Sequence, residues 1–176
     1  MGVERAATVA PVVRRADSLN PGEVGDLAEV LVACVAEGAS LGFHAPLAPA
    51  VAHSWWESFP REGAILLVAE RQGCIVGTVQ LLDADSANGA HRGEVCKLLV
   101  HPAWRRQGIA GTLMTSLETE ARAAGKTLLF LDTREGDPSN DLYATLGYRE
   151  GGRIPGWARD ASGALSTTVF WYKTLE

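Results

Sequence analysis

The chain is poor in cysteine, and the three it has, Cys34, Cys74 and Cys96, are odd in number and far apart. That pattern excludes a disulfide framework and a paired zinc-ligand array, and it suits a reducing cytoplasm. The four histidines, His44, His53, His91 and His101, are not spaced as metal ligands either, so no metal site is expected. Nowhere do about eighteen apolar residues run without interruption, and residues 1–10 lack the apolar stretch of a signal peptide. Neither a membrane span nor export is expected. Lysine and arginine never gather into a run, and the formal net charge is −5. Such a chain offers no face for tracking a phosphate backbone, which excludes non-specific nucleic-acid binding. There is no internal repeat and no low-complexity tract.

What the sequence does have is apolar material for one core. Its 176 residues, 47% of them hydrophobic and 21% charged, fit a single globular domain over 1–176, with 1–7 a loose polar lead-in. Residues 9–15 read as a first strand. Asn20-Pro21 is an N-cap and first-turn pair, and Val24, Leu27, Leu31, Cys34 and Val35 follow at helical spacing until Gly38 stops the pattern. A second helix starts at Pro49 with Val51, Trp55 and Phe59 on its apolar side, and the small-residue run 38–44 between the helices is a shaped loop. Residues 64–70 and 75–82 form a hairpin turning at Arg71-Gln72-Gly73, residues 83–93 a loop, and 94–100 the next strand. A helix from about Gly108 repeats Ala110, Leu113, Leu117, Ala121 and Ala124 and ends at Gly125. Residues 128–132 are a strand, 141–146 a short helix ended by Gly147, and 168–175 a closing strand. The class is mixed α/β (α+β), with a right-handed strand, helix, strand crossover from Glu94 to Asp132.

Residues 95–114 hold a strand, a basic glycine-bearing turn and a helix start. A first helical turn without bulky side chains presents free backbone N–H groups and the positive dipole end to an anion such as pyrophosphate, and Arg105 and Arg106 add charge at the rim. The turn has no Gly-x-Gly-x-x-Gly, so it is not a dinucleotide fingerprint. Gly125-Lys126-Thr127 looks like the end of a P-loop, but Glu120 stands where the first glycine is required. Gly38-Ala39-Ser40-Leu41-Gly42 satisfies Gly-x-Ser-x-Gly, yet a helical stripe precedes Ser40 where the hydrolase elbow needs a strand.

Arg105-Arg106-Gln107-Gly108-Ile109-Ala110 fits the pattern Arg/Gln-x-x-Gly-x-Gly/Ala, and on it the chain resembles the GNAT superfamily of N-acetyltransferases. Glu94-Val95, Lys97-Leu98, Leu131-Asp132-Thr133, residues 143–148, Pro155-Gly156-Trp157, Lys173-Thr174-Leu175 and the loop 38–43 are similar to one branch, the tabtoxin resistance acetyltransferases. The resemblance implies a twisted mixed sheet of about six or seven strands, splayed between the fourth and fifth, with about four helices. It implies acetyl transfer from acetyl-CoA to a primary amine of a small, amino-acid-like molecule, whether toxin, antibiotic or biosynthetic intermediate.

Residue by residue, the resemblance implies that the amides of Arg106, Gly108, Ala110, Gly111 and Thr112 cradle the CoA pyrophosphate, with Arg105, Gln107 and Ile109 in the same turn. The backbone of Leu98, Leu99 and Val100 would pair with the pantetheine arm, an amide of Leu98 or Leu99 would face the thioester oxygen, and Asn140 would touch pantetheine. Glu94 and Asp132 are acids at the ends of apolar strands that the crossover brings together. They resemble the branch's paired carboxylates, Glu94 as base and Asp132 as anchor with the roles exchangeable, and their proximity should raise at least one pKa. Tyr143 matches the phenol that protonates the CoA thiolate, and Tyr148 is core. Ser40, Phe43, His44, Trp55 and Trp157 fall where the acceptor would bind. Cys96 alternates with Glu94 and Leu98 on one face as a small strand residue. Alternatives left open are a protein-lysine acetyltransferase, another acyl donor including an acylated carrier protein, and a non-catalytic CoA-binding domain. The closing strand, if exposed, can pair across a homodimer.

Overall fold

The computed structural model describes residues 10–39, 41–59, 62–160 and 163–176. In chain order the elements are β1 (Val12–Arg15), α1 (Pro21–Ala36), α2 (Pro49–Glu57), β2 (Ala64–Arg71), β3 (Cys74–Asp83), β4 (Arg92–Val100), α3 (Ile109–Ala123), β5 (Leu128–Arg134), α4 (Ser139–Thr145), β6 (Arg149–Arg159) and β7 (Leu165–Thr174). The strands form one seven-stranded sheet in the order β1-β2-β3-β4-β5-β7-β6. Its pairs are antiparallel except β4 and β5, the parallel pair that a crossover helix requires. The expected mixed sheet with four α-helices is what the described residues form.

Helices cover both faces of the sheet's centre, which explains why β2 and β3 are nearly continuous apolar runs rather than alternating ones. On one face Leu113, Met114 and Leu117 of α3 cluster with Val79, Leu81, Val95, Leu129 and Leu131 of the sheet. On the other face Leu27, Leu31, Trp56, Leu66, Val68, Ile75 and Leu99 form a second cluster with α1 and α2. The start of α1 is fixed by a reciprocal cap. Asn20 accepts from the amides of Gly22 and Glu23 at 2.9 and 3.1 Å, and Glu23 accepts from the Asn20 amide at 2.7 Å. Such a cap contributes about 1 kcal/mol.

The structure departs from the sequence expectations in five places. The closing strand, expected to pair across a homodimer if exposed, is β7, and it lies between β5 and β6 with both sides paired, so the edge on that side is β6. β1 begins at Val12, after Pro11, which has no amide to donate; residue 9 lies outside the described residues. In α2 the inward residues are Ala52 and Trp56, while Val51 is 53% exposed. Small Ala52 lets the helix approach its neighbours closely, and that selects between two apolar stripes. Residues 149–159 form a strand that no apolar alternation announces. Finally, β4 carries a bulge: Gln80 pairs with Cys96 but Thr78 pairs with Leu99, leaving Lys97 as the extra residue at φ 51°. The bulge resets the faces. Leu99 joins the α1 and α2 cluster, and Leu98, expected on the face of Glu94 and Cys96, packs with Val95 and Val100 on the α3 side.

Candidate active site

β4 and β5 pair only from Arg92 to Glu94 against Leu128 to Phe130, and beyond that the parallel ladder stops. The part of β4 from Val95 to Val100 therefore has backbone groups on its β5 side that no neighbouring strand uses. Glu94 stands at the last paired position. Its register partner is Phe130, and Asp132 lies two residues further along β5, so all three side chains share one face. Glu94 is half-buried, and that burial lifts its carboxyl above the ordinary range. The charge of Asp132 raises it further, while Lys97 pulls it down. Asp132 is exposed and accepts from the Thr168 hydroxyl at 3.4 Å, so it leans on β7 rather than capping the loop after β5. Phe130 and Phe170, the register partners of the two acids, line an open hollow of about 300 Å³ with Tyr172 and residues 151–154 of β6.

Past the end of β4 the chain turns into α3. Arg106 and Gly108 take left-handed conformations at φ 62° and 79°, and Gly108 is the N-cap with no side chain capping the helix. The helical ladder begins with the Thr112 amide bonding to Gly108 at 3.0 Å. That leaves the amides of Ile109, Ala110 and Gly111 outside the ladder at the positive end of the dipole, a seat for an anion. Thr112, expected among the cradle amides, is thus committed to the first turn, and its hydroxyl also donates to Gly108 at 3.2 Å. The Ile109 side chain is buried under α3, whereas Gln107 is exposed. Arg105 does not sit free at the rim. Its Nε donates to the Val100 carbonyl at 3.2 Å, and Nη2 lies 3.7 Å from the Cys34 sulfur, which fastens the turn to α1 and occupies one acceptor of the β4 backbone.

Tyr143 is buried on α4 beside Tyr148 and Trp171, with ring centroids 5.9 and 6.4 Å away. Burial raises its phenol well above the ordinary value, although a hydrogen bond with Ser139 works against the shift. The phenol therefore keeps its proton through the neutral range, the state a proton donor must occupy. Ser139 in turn lies 3.0 Å from the Thr133 hydroxyl, linking the phenol to β5. The amide group of Asn140 is committed elsewhere: Nδ2 donates to Arg134 and Asp137 carbonyls at 2.9 and 2.8 Å, and Oδ1 accepts from Trp171 at 3.0 Å. It shapes the loop before α4. Tyr148 is core, as its pattern predicts.

The acceptor-side residues divide. Phe43 and Trp55 meet edge to face at 5.9 Å, and the Lys97 ammonium lies 5.7 Å from the Trp55 ring centre while donating to the Leu41 carbonyl at 3.2 Å. The bulge residue, the loop after α1 and α2 thereby form one wall. His44 is exposed beside it, and Ser40 lies outside the described residues. Trp157 is separate, 54% exposed on β6 and packed at 5.4 Å against Phe170, on the far side of Asp132. Sequence reasoning had counted Lys97 only as part of the branch resemblance, with no role, and had not marked Phe130 or Phe170. A charged residue inside an apolar strand was the available signal for Lys97.

The model of the Acetyltransferase (GNAT) family matches residues 35–148, which spans β4, the glycine turn, α3, β5 and α4. The chain belongs to the GNAT acetyltransferase family. It is 34% identical over 128 residues, 70% of its length and 75% of the relative's, to the uncharacterized N-acetyltransferase of the hisH–hisA intergenic region of Azospirillum brasilense. Among solved structures it resembles the ribosomal-protein-alanine N-acetyltransferase of Brucella melitensis, at TM-score 0.79 and 24% identity, covering 93% of this chain and 99% of that one. It also resembles a phosphinothricin acetyltransferase from Sinorhizobium meliloti solved with acetyl-CoA, at TM-score 0.80 and 18% identity, covering 95% and 89%. As a GNAT protein the chain is an acyltransferase, and the parted strands with the open α3 terminus are where the fold leaves backbone groups for a ligand.

Proposed function

We propose that this GNAT enzyme transfers acetyl from acetyl-CoA to the primary amine of a small, amino-acid-like molecule by direct attack in a ternary complex. The observation that carries the reading is Glu94: a half-buried carboxyl held above its ordinary range beside Asp132, at the point where β4 and β5 part. The Sinorhizobium neighbour's acetyl-CoA supports the donor. The open α3 terminus supports it independently, since the amides of Ile109, Ala110 and Gly111 with exposed Arg106 suit its pyrophosphate. Bound there, acetyl-CoA supplies a thioester carbonyl to attack and a thiolate to release.

The protein's own groups divide the remaining tasks. Asp132 holds the acceptor as an ammonium, and Glu94 takes its proton, a raised pKa making the carboxylate a better base. The free side of β4 at Leu98, Leu99 and Val100 receives the pantetheine arm, and a Leu98 or Leu99 amide donates to the carbonyl oxygen as charge develops; one such donor is worth about 3 kcal/mol elsewhere. Tyr143, kept protonated, returns a proton to the thiolate. Phe43, Trp55 and His44 on one side and Trp157 on the other bound the acceptor. The reading places the enzyme in the cytoplasm, neutralising a toxin or antibiotic of the kind met by the tabtoxin resistance acetyltransferases that its motifs resemble.

The test is a screen of small amines, a lysine peptide and an acylated carrier protein for thiol release. Small amino-acid-like amines should react with acetyl-CoA. Turnover only with the peptide, or only from the carrier, would overturn the small-amine reading or the donor respectively.

A further inference from the structure

Lys97 is unusual among the three lysines of the chain. Lys126 pairs with Asp83 at 2.8 Å and Lys173 with Glu118 at 2.7 Å, whereas Lys97 has no carboxylate within 4.0 Å among the described residues. It is half-buried against Trp55, and its ammonium makes one bond, to the Leu41 carbonyl. An ammonium has three donors, and a cation withdrawn from water without a counter-charge is costly. Its backbone is held at φ 51° on the bulge, in the left-handed region that a non-glycine residue adopts only at a cost. Local strain of that kind concentrates at functional sites. The ammonium lies with Leu41 and Trp55 on the α1 and α2 face, the face that bears Glu94, and Lys97 and Asp132 both act electrostatically on the Glu94 carboxyl. Gln80 adds a second donor on the same face. It is the register partner of Cys96, is 2% exposed, accepts from the Cys96 thiol through Oε1 at 3.6 Å, and its Nε2 has no acceptor.

We infer that Lys97 is a specificity-determining residue that takes the carboxylate of a zwitterionic acceptor whose ammonium lies between Glu94 and Asp132. This rests on the proposed transfer to a small amine and sharpens it. A bare amine or an ester would bring a positive charge toward Lys97 with nothing to pair it, so the same residue attracts the right acceptor and opposes the wrong one. The Leu41 carbonyl keeps one donor, which holds the aromatic wall in place, and the remaining donors meet the carboxylate with Gln80 beneath.

The experiment compares amino acids with their methyl esters as acceptors for the wild-type enzyme, Lys97→Met and Lys97→Arg, with acetyl-CoA affinity measured for each. The wild type should prefer the acid by at least about tenfold in kcat/KM. Lys97→Met should lose that preference through a raised KM for the acid and an ester used at least as well as by the wild type, with acetyl-CoA affinity unchanged, and Lys97→Arg should retain part of it. Equal use of acid and ester by the wild type overturns the inference. So does a Lys97→Met enzyme impaired alike on both, which would make Lys97 only a tie for the loop at Leu41. In either case the amine is still acetylated and the proposed function stands; if no small amine reacts at all, the proposed function falls and the inference with it.

Discussion

Two glycines at opposite ends of α3 separate the proposed binding role of the turn from its folding role. Gly108 and Gly125 have φ 79° and 75°, and a Cβ added at either meets nothing within 4 Å. An alanine at each position therefore meets only the left-handed backbone penalty of about 1–2 kcal/mol, partly offset by about 0.4–1 kcal/mol from a less flexible unfolded chain. Gly108→Ala and Gly125→Ala should each destabilise by about 1 kcal/mol, lowering Tm by about 2–4 °C in a chain of this size. Only Gly108 adjoins the free amides of Ile109, Ala110 and Gly111. Titration calorimetry with acetyl-CoA should show affinity at least about tenfold weaker for Gly108→Ala, the equivalent of about 1.4 kcal/mol, and wild-type affinity for Gly125→Ala. Matched affinities in the two variants would refute the placement of the donor's pyrophosphate at this turn, because both substitutions add a Cβ in open space at a left-handed position and only Gly108 adjoins the free amides.

Replacing Lys173 with Met strands buried Glu118, whose other cation, Arg122, is 3.9 Å away; a loss of about 3 kcal/mol is expected in thermal unfolding, and adding Glu118→Leu should restore most of it. Gly77→Ala puts a Cβ 2.9 Å from the Leu99 carbonyl and 3.3 Å from Ile109 and Leu113, so it should cost about 1–3 kcal/mol by pushing α3 off the sheet, read as a lowered denaturant midpoint. In pH–rate profiles, with Glu94 as the proposed base, the acid limb of kcat/KM should lie above the ordinary glutamate value of about 4.3, because its carboxylate form appears only above its raised pKa. Asp132→Asn removes a charge that raises Glu94 and should move that limb to lower pH, while Lys97→Met removes one that lowers it and should move the limb up. Movement of both variants in one direction would contradict the assigned electrostatics.

Where local chemistry dictates local structure, the sequence was legible. Asn20 with Glu23 announced α1, and the basic glycine turn announced the start of α3. The same applies to Glu94 and Asp132, whose proximity follows from parallel neighbours joined by one crossover. What eluded the pattern depended on long-range packing. β6 has Gly151, Gly152, Pro155 and Gly156 in its run and is largely exposed, and its pairing with β7 shifts register twice, so no two-residue period survives. The bulge at Lys97 is invisible to periodicity because one extra residue moves every later side chain to the opposite face. That is why Leu98 changed sides and why a lysine inside an apolar strand could reach the loop at Leu41. In α2 two apolar stripes competed, and only the approach of neighbouring elements chose Ala52 and Trp56. Asn140 carries a residue type suited to a ligand, yet the fold uses its amide to tie a loop to Trp171.

The most direct test of Glu94 as base is the turnover of Glu94→Gln on an amine that the wild type acetylates, with acetyl-CoA affinity measured on the same preparation. The glutamine keeps the shape of the side chain and cannot accept the proton. Turnover should fall by about 10²–10⁴-fold with acetyl-CoA affinity unchanged; turnover equal to the wild type would contradict it.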